Sequence, residues 1–250
     1  MQPDFAQVLR LLHMLNLKSR YDFIGGEVLL FDKNLHWTSF DLVKKVRNAL
    51  CHKMGVKKLK VGHAGTLDPL ATGLMILCTG KATKRIEEFQ EGTKEYIATL
   101  KIGATTPSFD METDEDLVSD FSHVNKENFE DTCLRFIGET NQVPPVFSAI
   151  KVNGKRAFDY AREGKDLKLQ AKKIVIKTIE TISFEPPFVK IKVVCSKGTY
   201  IRSLAHDIGK ELKCGAYLSD LRRTKIGEFS VENASEINFF INNLNTFETN

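Results

Sequence analysis

Two runs rich in β-branched residues, Ile174 to Phe184 and Phe188 to Ser196, stand on either side of Pro186-Pro187. Proline has no amide proton for a ladder and a fixed φ, so this pair ends one strand and starts the next. Two long strands with so short a connection pair antiparallel, because a parallel return needs a crossover of a dozen residues or more. The chain is therefore committed to an antiparallel sheet, and the other segments must fit around it. Gly26 to Asp32, Leu74 to Cys78 and Tyr96 to Ile102 read as further strands, and Ser148 to Val152 as a short one before the Asn153-Gly154 turn signal. A helix from Ser39 to Met54 is entered through Thr38-Ser-Phe-Asp41, a hydroxyl cap with an acid three residues on, and is expected to bury Phe40, Val43, Val46 and Leu50. Phe129, Cys133, Phe136 and Ile137 mark a helix ending at Gly138, and Lys155 to Glu163 one stopped by Gly164. Lys197-Gly-Thr-Tyr200 leads into a helix with the stripe Ile201, Leu204, Ala205, Ile208 and Leu212. Strands that come in pairs as well as singly, with helices between them, give an α+β class with a mixed, mostly antiparallel sheet flanked by helices and loops.

The ends differ from this middle. Phe5, Val8, Leu9, Leu12 and Leu15 fit one helical face, so residues 1–21 are expected as an N-terminal helical extension. Arg10 and His13 interrupt it, no cleavage site follows, and no apolar run reaches membrane-spanning length. Beyond Phe229 the chain turns polar, with six Asn from 231 to 250, so 232–250 is expected as a polar tail. Five scattered cysteines without a CxxC are read as reduced thiols of a cytoplasmic protein.

Charge is unevenly distributed. The net +4 hides a balance of +5 over residues 1–100, −7 over 101–150 and +6 over 151–250. Two basic segments around an acidic one suit a polyanionic partner. Between Asp41 and Glu87 there are ten Lys or Arg and a single acid, Asp68, in the loop Gly62-His-Ala-Gly-Thr-Leu-Asp-Pro-Leu-Ala-Thr-Gly73. An Asp before Pro is most often a turn residue or a cap. Cations all around instead favour an ionised carboxylate that can serve as nucleophile or base.

Other chemistries fail on residues. Gly80-Lys81 lacks both the glycine five positions upstream and the hydroxyl after the lysine that a phosphate loop needs. No GxGxxG follows a strand, Ser196 is not in a GxSxG setting, and no second isolated acid completes a glycosidase pair. Phosphodiester hydrolysis would call for a cluster of acids holding metal ions, which the loop does not offer. What remains is an enzyme of nucleic acid that works on base or sugar through one carboxylate.

The loop resembles the catalytic motif of the TruB-type tRNA pseudouridine synthases. The likeness continues in order through Gly80-Lys-Ala-Thr-Lys84, Lys94-Glu-Tyr96, Val143-Pro-Pro-Val-Phe-Ser-Ala-Ile-Lys151, Cys195-Ser-Lys-Gly-Thr-Tyr-Ile-Arg202 and Leu221-Arg-Arg223. The resemblance implies a pseudouridine-synthase-like fold over residues 22–231 and conversion of uridine-55 in the T-loop of tRNA to pseudouridine, with no metal and no organic cofactor. It implies Asp68 as the catalytic carboxylate, Arg202 as its partner, and Tyr96 stacked on the target base. His63 would fill the space of the flipped base, and Tyr200 and Leu221 would wall the pocket. Residues 135–164 would form a thumb-like RNA-binding insertion, with Lys84, Lys151, Lys155 and Arg156 among the groups on the RNA. Two departures stand out: Lys33 is followed by Asn34 where relatives have Lys-Pro, and no PUA-type domain is recognised at the C-terminus. The expected partner is the T-arm of tRNA alone, with no guide RNA, obligatory protein partner or membrane.

Overall fold

The computed structural model describes residues 20–165 and 167–249. Its longer strands are β1 (Val28–Lys33), β2 (Val61–His63), β3 (Ala71–Thr79), β4 (Lys94–Ile102), β5 (Gly138–Gln142), β6 (Lys172–Glu185), β7 (Phe188–Cys195) and β8 (Ala216–Ile226). The helices are α1 (Ser39–Lys53), α2 (Ile86–Glu91), α3 (Lys126–Leu134), α4 (Ala157–Arg162), α5 (Ile201–Glu211) and α6 (Ile237–Asn242). They fall into two compact units, one made of the chain up to Gly92 together with Arg222 onward, the other of Thr93–Leu221.

In the first unit β1 and β3 pair antiparallel from Val28↔Cys78 to Lys33↔Gly73, and β2 pairs with the end of β3 from Val61↔Thr79 to His63↔Leu77. The second half of β8, from Arg222, lies beside the start of β3. Leu74 to Cys78 are fully buried on both faces of β3, which is why that stretch is continuously apolar rather than alternating. Helix α1 begins as its sequence requires. Thr38 Oγ1 accepts from Asp41 N at 3.0 Å, and Asp41 Oδ2 accepts from Thr38 N at 3.0 Å. Its buried face is Leu42, Val43, Val46 and Leu50. Phe40, expected inside, is 62% exposed. It lies six residues before Val46, about 120° round the helix, whereas Leu42 is one turn below it.

The polar tail expected at 232–250 is instead folded. Ile237, Phe240, Leu244 and Phe247 are buried, and Ser235–Glu236 pairs parallel with β1 at Phe31 and Asp32. Phe240 meets Phe31 edge-on at 5.1 Å, and Phe247 meets Tyr21 at 5.1 Å. The asparagines masked an apolar 3-4-3 spacing. Glu248–Thr249 pairs with Arg20–Tyr21, so these two residues of the expected N-terminal helix are strand, and the rest of that expectation lies outside the described residues.

In the second unit β6 and β7 form the expected hairpin, closing at Glu185↔Phe188 around a cis Pro186-Pro187 bond. β4 pairs antiparallel with β7, β5 with β6, and the first half of β8 flanks β4. Helix α3 packs Phe129 against Phe184 of β6, with ring centroids 5.8 Å apart. It stops at Leu134, short of Gly138, because Arg135, Phe136 and Ile137 each bond back three residues in tighter turns.

Candidate active site

Asp68 belongs to the first unit, in the loop that joins β2 to β3. The loop is held at several points. Ser39 Oγ accepts from Leu67 N at 2.8 Å and donates to Leu67 O at 3.0 Å. Ala71 N donates to Asp68 O at 3.0 Å, and His36 N to Pro69 O at 2.8 Å. From β8, the buried guanidinium of Arg223 donates to Leu74 O at 2.8 Å, Thr66 O at 3.2 Å and Gly65 O at 3.3 Å. Gly73 has φ +108°, and a Cβ there would sit 2.3 Å from Arg223 O, so only glycine lets β8 approach this closely.

A second cation sits under the loop. Lys33, at the end of β1, is 1% exposed and donates through Nζ to Trp37 O at 2.7 Å and Asn34 O at 3.0 Å. Burial pulls its pKa down from 10.5 to about 8, and the negative charge of Asp68 works against that fall. The Asn34 acceptor is a backbone carbonyl, which a residue of any type at that position would supply. The half-buried carboxylate of Asp68 is within electrostatic reach of an ammonium that has almost no water of its own. His63, pairing across from Leu77, is half-buried, and burial holds its pKa below the ordinary value, which favours the neutral ring at pH 7.

The second unit carries Arg202, Tyr96, Tyr200 and Leu221. Arg202, on the first turn of α5, is 4% exposed, a position where a free charge would be costly. Its Nε lies 3.4 Å from Asp110 Oδ2, and NH1 donates to Ser108 O at 3.2 Å. Asp110 is itself buried. Its carbonyl accepts from the hydroxyls of Thr106 and Ser108, and its Oδ1 from Glu112 N at 2.9 Å. One turn along α5, His206 stacks on Phe109 at 3.9 Å, so the 106–112 segment is fastened to the helix that carries Arg202. The acidic stretch from Asp110 to Asp116 reads as a solvated connector in the sequence, and its first residue is not one. The start of α5 is fixed by Gln142, whose side chain accepts from Tyr200 N at 2.8 Å and donates to Tyr200 O at 3.0 Å. Tyr96 is 8% exposed on β4, opposite Val193, and Leu221 is 7% exposed on β8.

The basic candidates are less uniform. Lys84 and Lys151 are exposed. Lys155 is paired with Glu163 and lies over the ring of Tyr160, and Arg156 lies over Phe158 at 5.6 Å. Among the described residues no group of three His, Cys, Asp or Glu could hold a metal ion, and no described helix is long and apolar enough to cross a membrane. Asp110, Lys33, Ser39 and Gln142 were not legible as site residues, because each gains its place by burial against residues distant in the chain.

Comparison with known proteins places the chain in a family. Residues 52–201 match the TruB family pseudouridylate synthase N-terminal domain, and residues 202–245 match the tRNA pseudouridylate synthase B C-terminal domain. The tRNA pseudouridine synthase B of Phocaeicola vulgatus is 58% identical over 219 residues, covering 88% of this chain and 93% of that protein. That of Flavobacterium johnsoniae is 49% identical over 220 residues, covering 88% and 96%. Among solved structures, a chain of a Cbf5-Nop10-Gar1 complex superposes with a TM-score of 0.66 at 27% identity over 89% of this chain. This chain spans 55% of that one's length. The family match over more than half of the chain and the near full-length relatives give one conclusion: the chain belongs to the TruB family of pseudouridylate synthases, which are isomerases.

Proposed function

We propose that the protein isomerises uridine-55 in the T-loop of tRNA to pseudouridine, acting without a guide RNA. The tRNA pseudouridine synthase B relatives, matched over nearly their whole length, support the substrate class. The observation that carries the chemistry is Asp68: the one acid in a basic window, on a loop clamped by Ser39 and Arg223 above a buried lysine. A carboxylate so placed is held on a fixed backbone, and its setting is built before substrate arrives.

The reaction exchanges one bond for another. The C1′–N1 bond breaks, the uracil turns, and C1′–C5 forms; C5 loses a proton and N1 gains one, so no co-reactant is consumed. Asp68 acts as the carboxylate that makes the first cleavage possible, as nucleophile or as base. Arg202 is its guanidinium partner, and Asp110 is the positioning residue that keeps Arg202 oriented. Tyr96 stacks on the flipped base, Tyr200 and Leu221 enclose it, and His63 occupies the space it leaves. Lys84, Lys151, Lys155 and Arg156 contact phosphates, Lys155 at the expense of its bond to Glu163.

The test is incubation of the pure protein with an unmodified tRNA transcript, with pseudouridine mapped by chemical adduct or mass. Wild type is expected to modify one position. Asp68→Asn should bind the transcript and lose at least about 100-fold in rate. A normal rate in that variant would remove Asp68 from catalysis. Arg202→Lys keeps a positive charge against Asp110 and should lose turnover with little loss of fold. If stability alone fell, Arg202 would be a structural residue.

A further inference from the structure

We infer that a groove next to the Asp68 loop binds a second nucleotide of the RNA, not the one being isomerised, with its base against Trp37 and its phosphate on Lys44 and Lys45. This rests on the RNA-substrate reading above and adds a site to it. The groove, about 350 Å³, is lined by His36, Trp37, Asp41, Lys44, Lys45 and Asn48. That volume is within the range of small-ligand sites.

Each wall has a reason to be where it is. The turn before α1 is held by Lys33 Nζ on Trp37 O and by His36 N on Pro69 O, with His36 in the left-handed region at φ 65°. The rings of His36 and Trp37 are thus carried on a fixed backbone, although both stand at the surface or partly so. Lys44 and Lys45 are exposed on α1, and Lys44 is near enough to Asp41 to help hold that carboxyl below its usual range. The groove's one acid, Asp41, has its Oδ2 committed to Thr38, at 3.0 Å from N and 2.6 Å from Oγ1.

An aromatic face beside two exposed cations is an arrangement by which proteins hold single-stranded nucleic acid. The ring stacks on a base and the cations track the phosphates. Position selects the strand. His36 bonds directly to Pro69, the residue after Asp68, so RNA that offers a uridine to Asp68 has a neighbouring nucleotide over this turn. The groove would favour RNA whose flanking base can leave its stack, adding discrimination at a position where no chemistry occurs.

Trp37 is the only tryptophan in the chain, so its fluorescence reports the groove alone. An unmodified T-arm hairpin is titrated into the intact protein while indole emission is followed, and pseudouridine formation is measured on the same hairpin. Binding should quench Trp37 saturably. Trp37→Ala should weaken binding by about 5- to 150-fold, with the loss in KM, and Trp37→Phe should keep most of the affinity. Lys44→Gln with Lys45→Gln should lower the slope of log K on log salt by about 1.4. Should Trp37→Ala not fold, the Phe variant and the lysine pair, both on an intact scaffold, decide the question. A hairpin that binds and is isomerised with indole emission unchanged, and with affinity indifferent to the lysine pair, overturns the groove and leaves the synthase standing. A wild-type protein that forms no pseudouridine overturns the synthase reading, whatever the emission does. Quenching by an acidic peptide that the hairpin does not displace would assign the groove to a protein partner and also overturn the proposal.

Discussion

Asp68 could be found from sequence because isolation is a local property: ten cations and one acid in a single window. Its supports could not. Lys33 looks like any strand-end lysine, and Asp110 like the first of a run of solvated acids, until the fold buries them. The burial of Lys33 has a consequence for stability. Its folded pKa is lowered to about 8, against 10.5 for a free lysine. Below pH 8 it is charged in both states, and the folded chain carries the full cost of an interior ammonium. From about 8 to 10.5 the unfolded chain binds more protons, so the stability attributable to Lys33 rises with pH. Lys33→Met removes that titration. The stability of wild type relative to Lys33→Met is expected to increase by roughly 3 kcal/mol across this window. Urea denaturation of both proteins over the same pH range measures it. The thiols of Cys78 and Cys195, pushed up by burial to about 11, titrate nearby but are common to both proteins and cancel. A difference flat with pH would mean that Lys33 keeps an ordinary pKa.

At the scale of elements, legibility followed periodicity and capping. Helix α1 was placed by Thr38 and Asp41, and the β6–β7 hairpin by its prolines, because both signals act within a few residues. At Phe40 hydrophobicity and angular position disagree, and angular position decides: the ring faces outward. β8 carries no strand signal in sequence because its charged residues, Arg222 and Arg223 among them, look solvated there. Arg223 is buried under the loop, and Arg222 is bonded to Asp32 at 2.6 and 3.0 Å. Two substitutions separate local from tertiary stabilisation. Thr38→Ala removes one exposed capping box and should cost about 1 kcal/mol. Phe240→Ala, in the segment that composition alone made a tail, removes a fully buried ring packed on Phe31 and should cost about 3–5 kcal/mol. Denaturant midpoints of the two variants give the ratio. If Phe240→Ala cost no more than the cap, the C-terminal segment would be a surface feature and not part of the first unit's core.

At the scale of the molecule, chain order and spatial order part company. The second unit is one continuous segment, Thr93–Leu221, while the first is closed only when the last thirty or so residues return to strands laid down near the start. Family boundaries do not follow this division, since the C-terminal family segment, 202–245, begins inside the second unit. What returns is chemically specific: Arg223 satisfies the carbonyls of Gly65, Thr66 and Leu74, Ser235–Glu236 covers the edge of β1, and Phe240 closes over Phe31. A chain cut after Leu221 therefore loses the clamp on the Asp68 loop while retaining every residue of that loop. An unsatisfied buried carbonyl at Leu74 and an open strand edge are each costly, so the loss falls on β1 and β3. Hairpin β6–β7 keeps its pairings with β4 and β5. Amide hydrogen exchange on the truncated chain is expected to show protection surviving in β6 and β7 and lost in β1 and β3, with pseudouridine formation abolished although Asp68 is present. Equal protection of β3 in the cut and full-length chains would show that the Asp68 loop is organised by its local turn alone, and that the arginine arriving from β8 merely packs against a structure already made.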